Sequence, residues 1–559
     1  MPRGARMTLV SGLGIVVGNG FGLQSSHRGP REYLCRDLQP EPRMRARRPV
    51  VLVRTLLATL ASLATLATLA SAARAQGRVE ADLDAYIAKG MQEWHIPGLS
   101  IAIVKDDRVV YAKGFGVRRL GAPDRVDART MFGMMSTTKA MTALAVAMLV
   151  DSGKVAWDDP VTKHLPWFQL KDPYVTRELR VRDLLLHNSG LGNADLLWVR
   201  GDLSTREILE RVRGLDPSYS MRSSFIYQNV MYQVAGEVVA AASGMSWERF
   251  IATRIMRPLG MSRSEPTLAA VQAARHDNVS AAHFEIDGVV RAIEESPVDP
   301  VPAAGSAWST AEDAGRWVRF LLDSGRVDGR RLVSEAGFRE LMRPQAFVPA
   351  AEFYPTARLT RPHWMTYGLG WFQQDYRGRF VAMHTGSIDG RTAIVGLMPD
   401  ERLGVYIFGN VDHAEFRHAL MWRVFDAYLG GPARDWSTEF LALYGAQRSA
   451  GIRAAAARDS ARVPNTQPSR PVGEYAGRYL HPVYGDLGVT YEGGALTARF
   501  GPAPENRGRL EHFHHDTFRA KLGDGRGGWT YFTFRLGADG KVAAVRFEDD
   551  AALEFERSR

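Results

Sequence analysis

The sequence predicts an α/β domain, an antiparallel sheet flanked by helices plus a helical lobe, followed by a small all-β C-terminal domain. Three observations predict it. Strand signals sit at both ends of residues 80–430, short helices fill the middle, and a Pro-rich stretch precedes a Gly- and aromatic-rich tail.

The elements follow in order. Ser100-Ile101-Ala102-Ile103-Val104, then Asp106-Asp107, then Val109-Val110-Tyr111-Ala112-Lys113-Gly114 read as a β-hairpin. Residues 136–151 read as an apolar helix closed by Ser152-Gly153. From about 155 to 330, Pro and Gly breaks separate short helices, among them the amphipathic stretches 204–213, 230–243 and 311–324. Phe380 to Gly386, Arg391 to Met398 and Leu403 to Asn410 are apolar runs joined by Ile388-Asp389-Gly390 and Pro399-Asp400-Glu401, the pattern of an antiparallel meander. A helix over 414–429 follows. A hairpin at one end and a meander at the other imply one sheet assembled from both ends of the domain, with a cleft against the helical lobe.

Residues 431–471 read as a helical connector and a linker, the latter ending in Val463-Pro464-Asn465-Thr466-Gln467-Pro468-Ser469-Arg470-Pro471. Residues 472–559 read as a separate β domain, with strand-like runs at Trp529 to Leu536 and Val542 to Phe547. The Gly-rich stretch 524–528 has no following helix or P-loop lysine, so it reads as a hairpin loop and not as a phosphate cradle.

Composition narrows the function class. A hydrophobic fraction of 45% with 24% charged residues is that of a soluble globular protein and excludes disorder or a coiled coil. The net charge of +10 invites a nucleic-acid partner, but residues 1–75 hold 11 Lys+Arg and 3 Asp+Glu, leaving 60 basic and 58 acidic residues in the rest. The basic excess is therefore a property of the leader, and no nucleic-acid partner is expected.

That leader reads as export machinery. Met44-Arg45-Ala46-Arg47-Arg48 is a positive segment, residues 50–73 are an Ala/Leu/Thr-rich run interrupted by Arg54, and Ala73-Arg74-Ala75 offers a cleavage site. Residues 44–75 are thus expected to be a signal peptide directing the protein to the periplasm or outside the cell. An uncleaved leader would leave a membrane anchor. Residues 1–43 read as an upstream extension, with Met44 as the true start. Cys35 is the single cysteine, so a chain cleaved after Ala75 has neither disulfides nor thiol chemistry.

Three short motifs carry the chemistry. Ser136-Thr137-Thr138-Lys139 places a hydroxyl and an amine three residues apart, on one face of a helical turn. A serine becomes a useful nucleophile when a neighbour takes its proton, and a lysine desolvated against an apolar helix can do so. A chain of this size carries about two such SxxK matches by chance, so the weight lies in the company it keeps. Tyr227-Gln228-Asn229 stands before an apolar helix, and His384-Thr385-Gly386 ends the first strand of the meander.

In order, spacing and setting these motifs resemble the penicillin-recognising serine hydrolases, the superfamily of serine β-lactamases and D-Ala-D-Ala peptidases. The class C-like branch is the most similar. Supporting segments are Phe132-Gly133, Leu184-Leu185-Leu186-His187-Asn188-Ser189-Gly190-Leu191, Trp308-Ser309-Thr310 with Asp313, and Tyr367-Gly368-Leu369-Gly370-Trp371. The likeness spans roughly 80–430, and residues 472–559 look like the small β domain often attached to this branch.

The resemblance implies roles. Ser136 would form an acyl-enzyme, Lys139 would accept its proton, and Tyr227 would shuttle protons to the leaving group and from the hydrolytic water. Asn229 would bind the substrate amide and hold Lys139. Backbone N–H groups of Ser136 and Ser387 would form the oxyanion hole, and Gly386 would let the substrate backbone lie close to its strand. His384 and Thr385 would complete the substrate-binding edge. The commonest version of the third motif has lysine where this chain has His384, and a partly charged histidine argues against efficient β-lactam hydrolysis.

Other candidates read as structural. His512, His514 and His515 with Asp516 suggest a solvated strand edge rather than a metal site, and His187 suggests a turn rather than a triad member. The expected function is thus an exported serine hydrolase, without metal or organic cofactor, acting on peptides with D-residues, amides or esters, with cell-wall fragments among the candidates. The alternatives are a true β-lactamase and a slowly deacylating penicillin-binding sensor.

Overall fold

The computed structural model describes residues 79–558 except 297, 431–433 and 548–552. The expected extension 1–43, signal peptide 44–75 and Cys35 lie outside the described residues. Strands β1 (Gly98–Lys105) and β2 (Arg108–Gly116) form the expected hairpin. Asp106 and Asp107 turn it at φ 49° and 64°, the left-handed pair that a two-residue hairpin turn requires and that aspartate tolerates.

Six further described strands complete this sheet: β3 (Ala346–Phe347), β4 (Met365–Tyr367), β5 (Phe372–Tyr376), β6 (Arg379–Ile388), β7 (Arg391–Met398) and β8 (Leu403–Gly409). Their order is β2-β1-β8-β7-β6-β5-β4-β3, antiparallel throughout. The first strand therefore pairs with the last, Leu99 opposite Gly409 and Lys105 opposite Leu403, and the sheet closes from both ends of the domain.

Every residue of β7 and β8 is buried, which explains their unbroken apolar runs. Helices α1 (Lys139–Asp151) and α2 (Asn229–Ser243) build the lobe, while α3 (Ala311–Leu322) and α4 (Phe416–Leu429) cover the sheet. A Cβ on Gly404 would meet Val318 of α3, and one on Gly396 would meet Met421 and Phe425 of α4. Gly404 stands opposite Leu397, the neighbour of Gly396, so the two helices pack on opposite faces. The Thr310 hydroxyl caps α3 by accepting from Asp313 N, which gives the Trp308-Ser309-Thr310 segment a structural purpose.

The C-terminal domain is a closed barrel: β9 (Gly477–His481), β10 (Gly485–Glu492), β11 (Ala495–Phe500), β12 (Arg507–His514), β13 (Thr517–Lys521), β14 (Trp529–Leu536), β15 (Val542–Phe547) and β16 (Glu554–Arg557). Each strand pairs with the next and β9 closes on β16, leaving no free edge. Tyr475, Tyr479, Phe518 and Phe534 pack against one another, with ring centroids 5.1 to 5.7 Å apart.

The stretch 463–471 packs on the barrel it leads into, because Ser469 bonds Asp516 and the Val463 N–H donates to His514 Nδ1 at 3.3 Å. The barrel also contacts the rest of the chain. Helix α5 (Trp436–Ser460) braces it through Asp459 to Arg519 at 2.8 Å, and Arg200 of the lobe donates to Tyr484 O at 2.7 Å. Sequence cannot show such contacts, since each joins residues tens to hundreds of positions apart.

Candidate active site

The nucleophile turn begins with strain. Met135 is 4% exposed yet lies at φ 50°, a left-handed conformation unusual for a bulky side chain. The 3-10 turn Met135–Thr138 then runs straight into α1. In such a turn residues i and i+3 eclipse, so Ser136 and Lys139 point the same way. Thr137 pins the turn, its hydroxyl bonding Met134 O at 2.6 Å and Tyr406 Oη. From Thr130 to Ala147, Ser136 is the single residue that is not buried.

Lys139 Nζ lies 3.0 Å from Ser136 Oγ, 2.7 Å from Asn229 Oδ1 and 2.8 Å from Ala304 O. The side chain is fully buried, and this desolvation lowers its pKa from 10.5 to about 7, with Asp195 acting weakly in the opposite sense. The ammonium form has three acceptors for three protons. In the neutral form the free lone pair faces the Ser136 hydroxyl, so the two groups can exchange one proton without rearrangement.

Asn229 is the first residue of α2. Its Nδ2 donates to the Asp195 carboxylate at 3.0 and 3.1 Å, which fixes Oδ1 toward Lys139. Asp195 also accepts from Trp198 Nε1 at 3.0 Å. Tyr227, two residues earlier, lays its ring 4.8 Å from Lys139 Nζ. Its hydroxyl is buried without a formed hydrogen bond. Burial pushes its pKa well above 10, opposed by the neighbouring Ser136 side chain.

Strand β6 crosses the nucleophile turn at Gly386. A Cβ there would stand 2.8 Å from Met135 Cβ and 3.0 Å from Ser136 N, inside van der Waals contact. Glycine is thus required at this position by the protein's own nucleophile turn, a different reason from the expected approach of substrate. Arg417 of α4 holds the same point from behind, donating to Gly386 O at 2.5 Å and Ser387 Oγ at 2.7 Å. Its charge is matched by Glu415 at 2.9 Å. Burial alone would raise the Glu415 pKa, but Arg417 and His418 outweigh it and hold the carboxyl below its usual range.

His384 departs from expectation. It is 1% exposed and is not among the residues that line the cleft. Nδ1 bonds Thr385 O at 2.6 Å and Nε2 meets Tyr367 Oη at 3.0 Å. Burial lowers its pKa to about 3, assisted by Lys139, so the ring is neutral and supplies no charge to a ligand. Thr385 is half-buried and engaged with Tyr354 Oη at 3.0 and 3.1 Å.

His187 does sit in a turn, at φ 57°, but its ring stacks on Tyr227 with centroids 4.2 Å apart. Gln228 N–H donates to His187 Nδ1 at 2.9 Å, which places the ring proton on Nε2, facing Tyr367 Oη at 3.3 Å. A hydrogen-bonded chain therefore runs from Gln228 through His187, Tyr367 and His384 to Thr385. His187 and Tyr367 lie in segments visible in the sequence, although nothing local ties them to the site. Asp195 and Arg417 carry no local signal at all.

The cleft above Ser136 is a cavity of about 220 Å³ lined by Ser136, Asn229, Ser387, Asp195, Trp198 and Asp389, among others. A larger groove of about 530 Å³ beside Tyr174, Tyr219 and Met221 does not contain these groups. Around the tail, His512 Nε2 bonds His515 O and Asp516 accepts from Ser469 and Tyr475. Among the described residues no group of three or more His, Cys, Asp or Glu side chains is placed to hold a metal.

The chain is 27% identical over 435 residues to the "Unguisins hydrolase ungD'" of Aspergillus campestris, covering 74% of this chain and 78% of that one. It is 22% identical over 339 residues to "Protein flp" of Staphylococcus aureus, covering 60% and 63%. In fold it resembles the octameric penicillin-binding protein homologue from Pyrococcus abyssi, with a TM-score of 0.56 at 23% identity, over 85% of this chain and 99% of that one. It also resembles SurE, with a TM-score of 0.51 at 21% identity, over 86% and 100%. Residues 461–558, the barrel and its lead-in, match a domain of unknown function (DUF3471). Residues 83–428, which hold the whole Ser136–Lys139–Tyr227–Asn229 constellation, match the Beta-lactamase family model, and the chain belongs to that family.

Proposed function

We propose that this protein is an exported serine hydrolase that works through a Ser136 acyl-enzyme on peptides with D-residues, amides or esters. The observation that carries the reading is the Ser136–Lys139 contact of 3.0 Å, made by a lysine whose burial brings its pKa to about 7. Neutral Lys139 takes the Ser136 proton as Oγ attacks the carbonyl carbon. The oxyanion is received by the backbone N–H groups of Ser136 and Ser387. Tyr227 protonates the leaving group, and the same groups run in reverse to deliver water to the acyl-enzyme. The fungal relative named as an unguisins hydrolase supports hydrolytic turnover within this family.

The neutral His384 favours amides and esters over β-lactams, because the cleft lacks the fixed cation that this strand position supplies in the commonest version of the motif. Export rests on the leader in residues 44–75, and N-terminal sequencing of the mature protein tests it. Among the described residues no helix is long and apolar enough to cross a membrane.

The decisive experiment is intact-protein mass after brief mixing with an activated ester or a penicillin, with Ser136→Ala as control. A transient adduct on the wild type alone, discharged rapidly for the ester, supports the hydrolase. Faster discharge for the penicillin than for the ester identifies a β-lactamase, and an adduct that persists identifies a sensor. No adduct and no turnover with either reagent overturns the reading.

A further inference from the structure

The barrel touches segments that flank the cleft on both sides. On the lobe side, Arg200 follows Trp198, which lines the cavity, by two residues and is 3% exposed. It donates to Tyr484 O at 2.7 Å and to Asp486 Oδ1 at 3.2 Å, while Asn506 Nδ2 donates to Val199 O at 3.1 Å. On the sheet side, the loop between β13 and β14 carries Arg526 to Asp389, with Nη1 to Oδ2 at 3.1 Å. Asp389 lines the cavity and stands two residues beyond Ser387.

Arg526 is built for a fixed position. Asp524 of its own loop accepts from Nε at 2.9 and 3.1 Å and from Nη2 at 2.7 Å, leaving Nη1 aimed at Asp389. The side chain is 15% exposed. The loop bends sharply around it, with Gly523, Gly525 and Gly528 at φ 58°, 84° and 74°. A surface ion pair of two mobile chains would mean little, but a guanidinium held in its own loop by a bidentate partner acts as a post. Burial pushes the Asp389 pKa above its ordinary value, and the charge of Arg526 opposes that rise.

We propose that the C-terminal barrel is a working part of the substrate site, with Arg526 the positioning residue that holds Asp389 in place at one end of the cleft and so limits the size of the substrate group accepted there. This rests on the serine hydrolase reading above. Arg526 does not line the cavity, and its loss leaves Ser136, Lys139 and Tyr227 in place. Its effect therefore depends on substrate length.

The test uses the full chain and two ester series, one lengthened on the acyl side from acetate to octanoate and one lengthened on the alcohol side. Arg526→Ala is expected to raise kcat/KM for the longest member of one series by about tenfold or more, with the shortest members within about twofold of wild type. Arg526→Lys, which keeps charge but loses the double contact with Asp524, is expected to fall between them, and it carries the test if the alanine variant does not fold. Hydrogen exchange of residues 386–392 is expected to quicken in both variants. Length profiles that superimpose on wild type overturn the proposal, whatever the exchange shows. A wild type with neither turnover nor adduct overturns the hydrolase reading and this inference together, whereas wild-type turnover with unmoved profiles overturns this one alone.

Discussion

Tyr367 Oη stands 3.0 Å from His384 Nε2, while Nδ1 of the same ring is bound to Thr385 O at 2.6 Å. His384 is thereby fixed as the Nδ1–H tautomer, an acceptor toward Tyr367 and never a cation in the working range. Its Cε1–H resonance is expected to stay unshifted from pH 8 down to pH 5, in line with a pKa near 3. A midpoint near 6.5 would show a solvated ring. Tyr367→Phe leaves His384 Nε2 and His187 Nε2–H without partners in a buried site, and should cost about 1–3 kcal/mol in urea denaturation.

The same burial sets a pH dependence of stability. His187 and His384 both have pKa values depressed by burial, so below the ordinary value of 6.5 the unfolded chain binds protons that the folded one refuses. The contribution of these two histidines is complete above pH 6.5 and is lost as pH falls below it, for His384 down to about pH 3. Each histidine contributes a slope approaching ~1.4 kcal/mol per pH unit through that window. Urea midpoints at pH 7 and pH 5 measure the loss, and His384→Gln should reduce it by one histidine's share.

Lys139 predicts the acid limb of activity. Its neutral form is the base, so kcat/KM for an ester should rise with pH through about 7 and flatten above it. Lys139→Arg retains charge and length, but a guanidinium does not give up its proton at these pH values, and activity should fall by about 10³-fold or more. Near-native turnover in either Lys139→Ala or Lys139→Arg at pH 7 would remove lysine from the mechanism.

Gly386→Ala tests the crossing of β6 over the nucleophile turn. The added methyl would run into Met134 O and stand 2.8 Å from Met135 Cβ and 3.0 Å from Ser136 N, so the nucleophile turn must shift and the oxyanion hole is expected to open. A fall in kcat of about 10²–10³-fold is expected, larger than any change in KM. Gly445, in the middle of α5 with open space where a Cβ would stand, is the control, and its change to Ala should stabilise by about 0.5–1 kcal/mol without touching activity.

Arg417→Met removes the brace behind Gly386 and Ser387 and leaves Glu415 buried with His418 as its remaining partner. Loss of one partner of a buried pair should cost about 3–5 kcal/mol. The double change with Glu415→Gln should recover part of the stability while kcat stays low, which separates the charge balance from the positioning of Ser387.

Much of this was local enough to be read in the chain. The hairpin at Asp106-Asp107, the meander through β6, β7 and β8, and the three motifs at Ser136, Tyr227 and His384 are patterns of a few residues, set by periodicity and turn chemistry. Spacing within two motifs was legible too, because Ser136 and Lys139 are joined by a single helical turn and Tyr227 stands two residues before the helix that Asn229 opens, whereas the meeting of all three motifs was implied by the family resemblance. The ionisation of these groups was not. The pKa values of Lys139 and His384 follow from desolvation, which exists only once the chain has packed. The need for glycine at 386, the stacking of His187 on Tyr227, the brace by Arg417 and the reach of Arg526 to Asp389 are likewise contacts between residues tens to hundreds of positions apart, decided where the sheet, the lobe and the barrel meet. Sequence determined which chemistry this protein carries, since side-chain identity and short-range spacing are local. Tertiary structure decided which groups are charged and what closes the cleft, since burial and long-range contact exist only after the chain has packed.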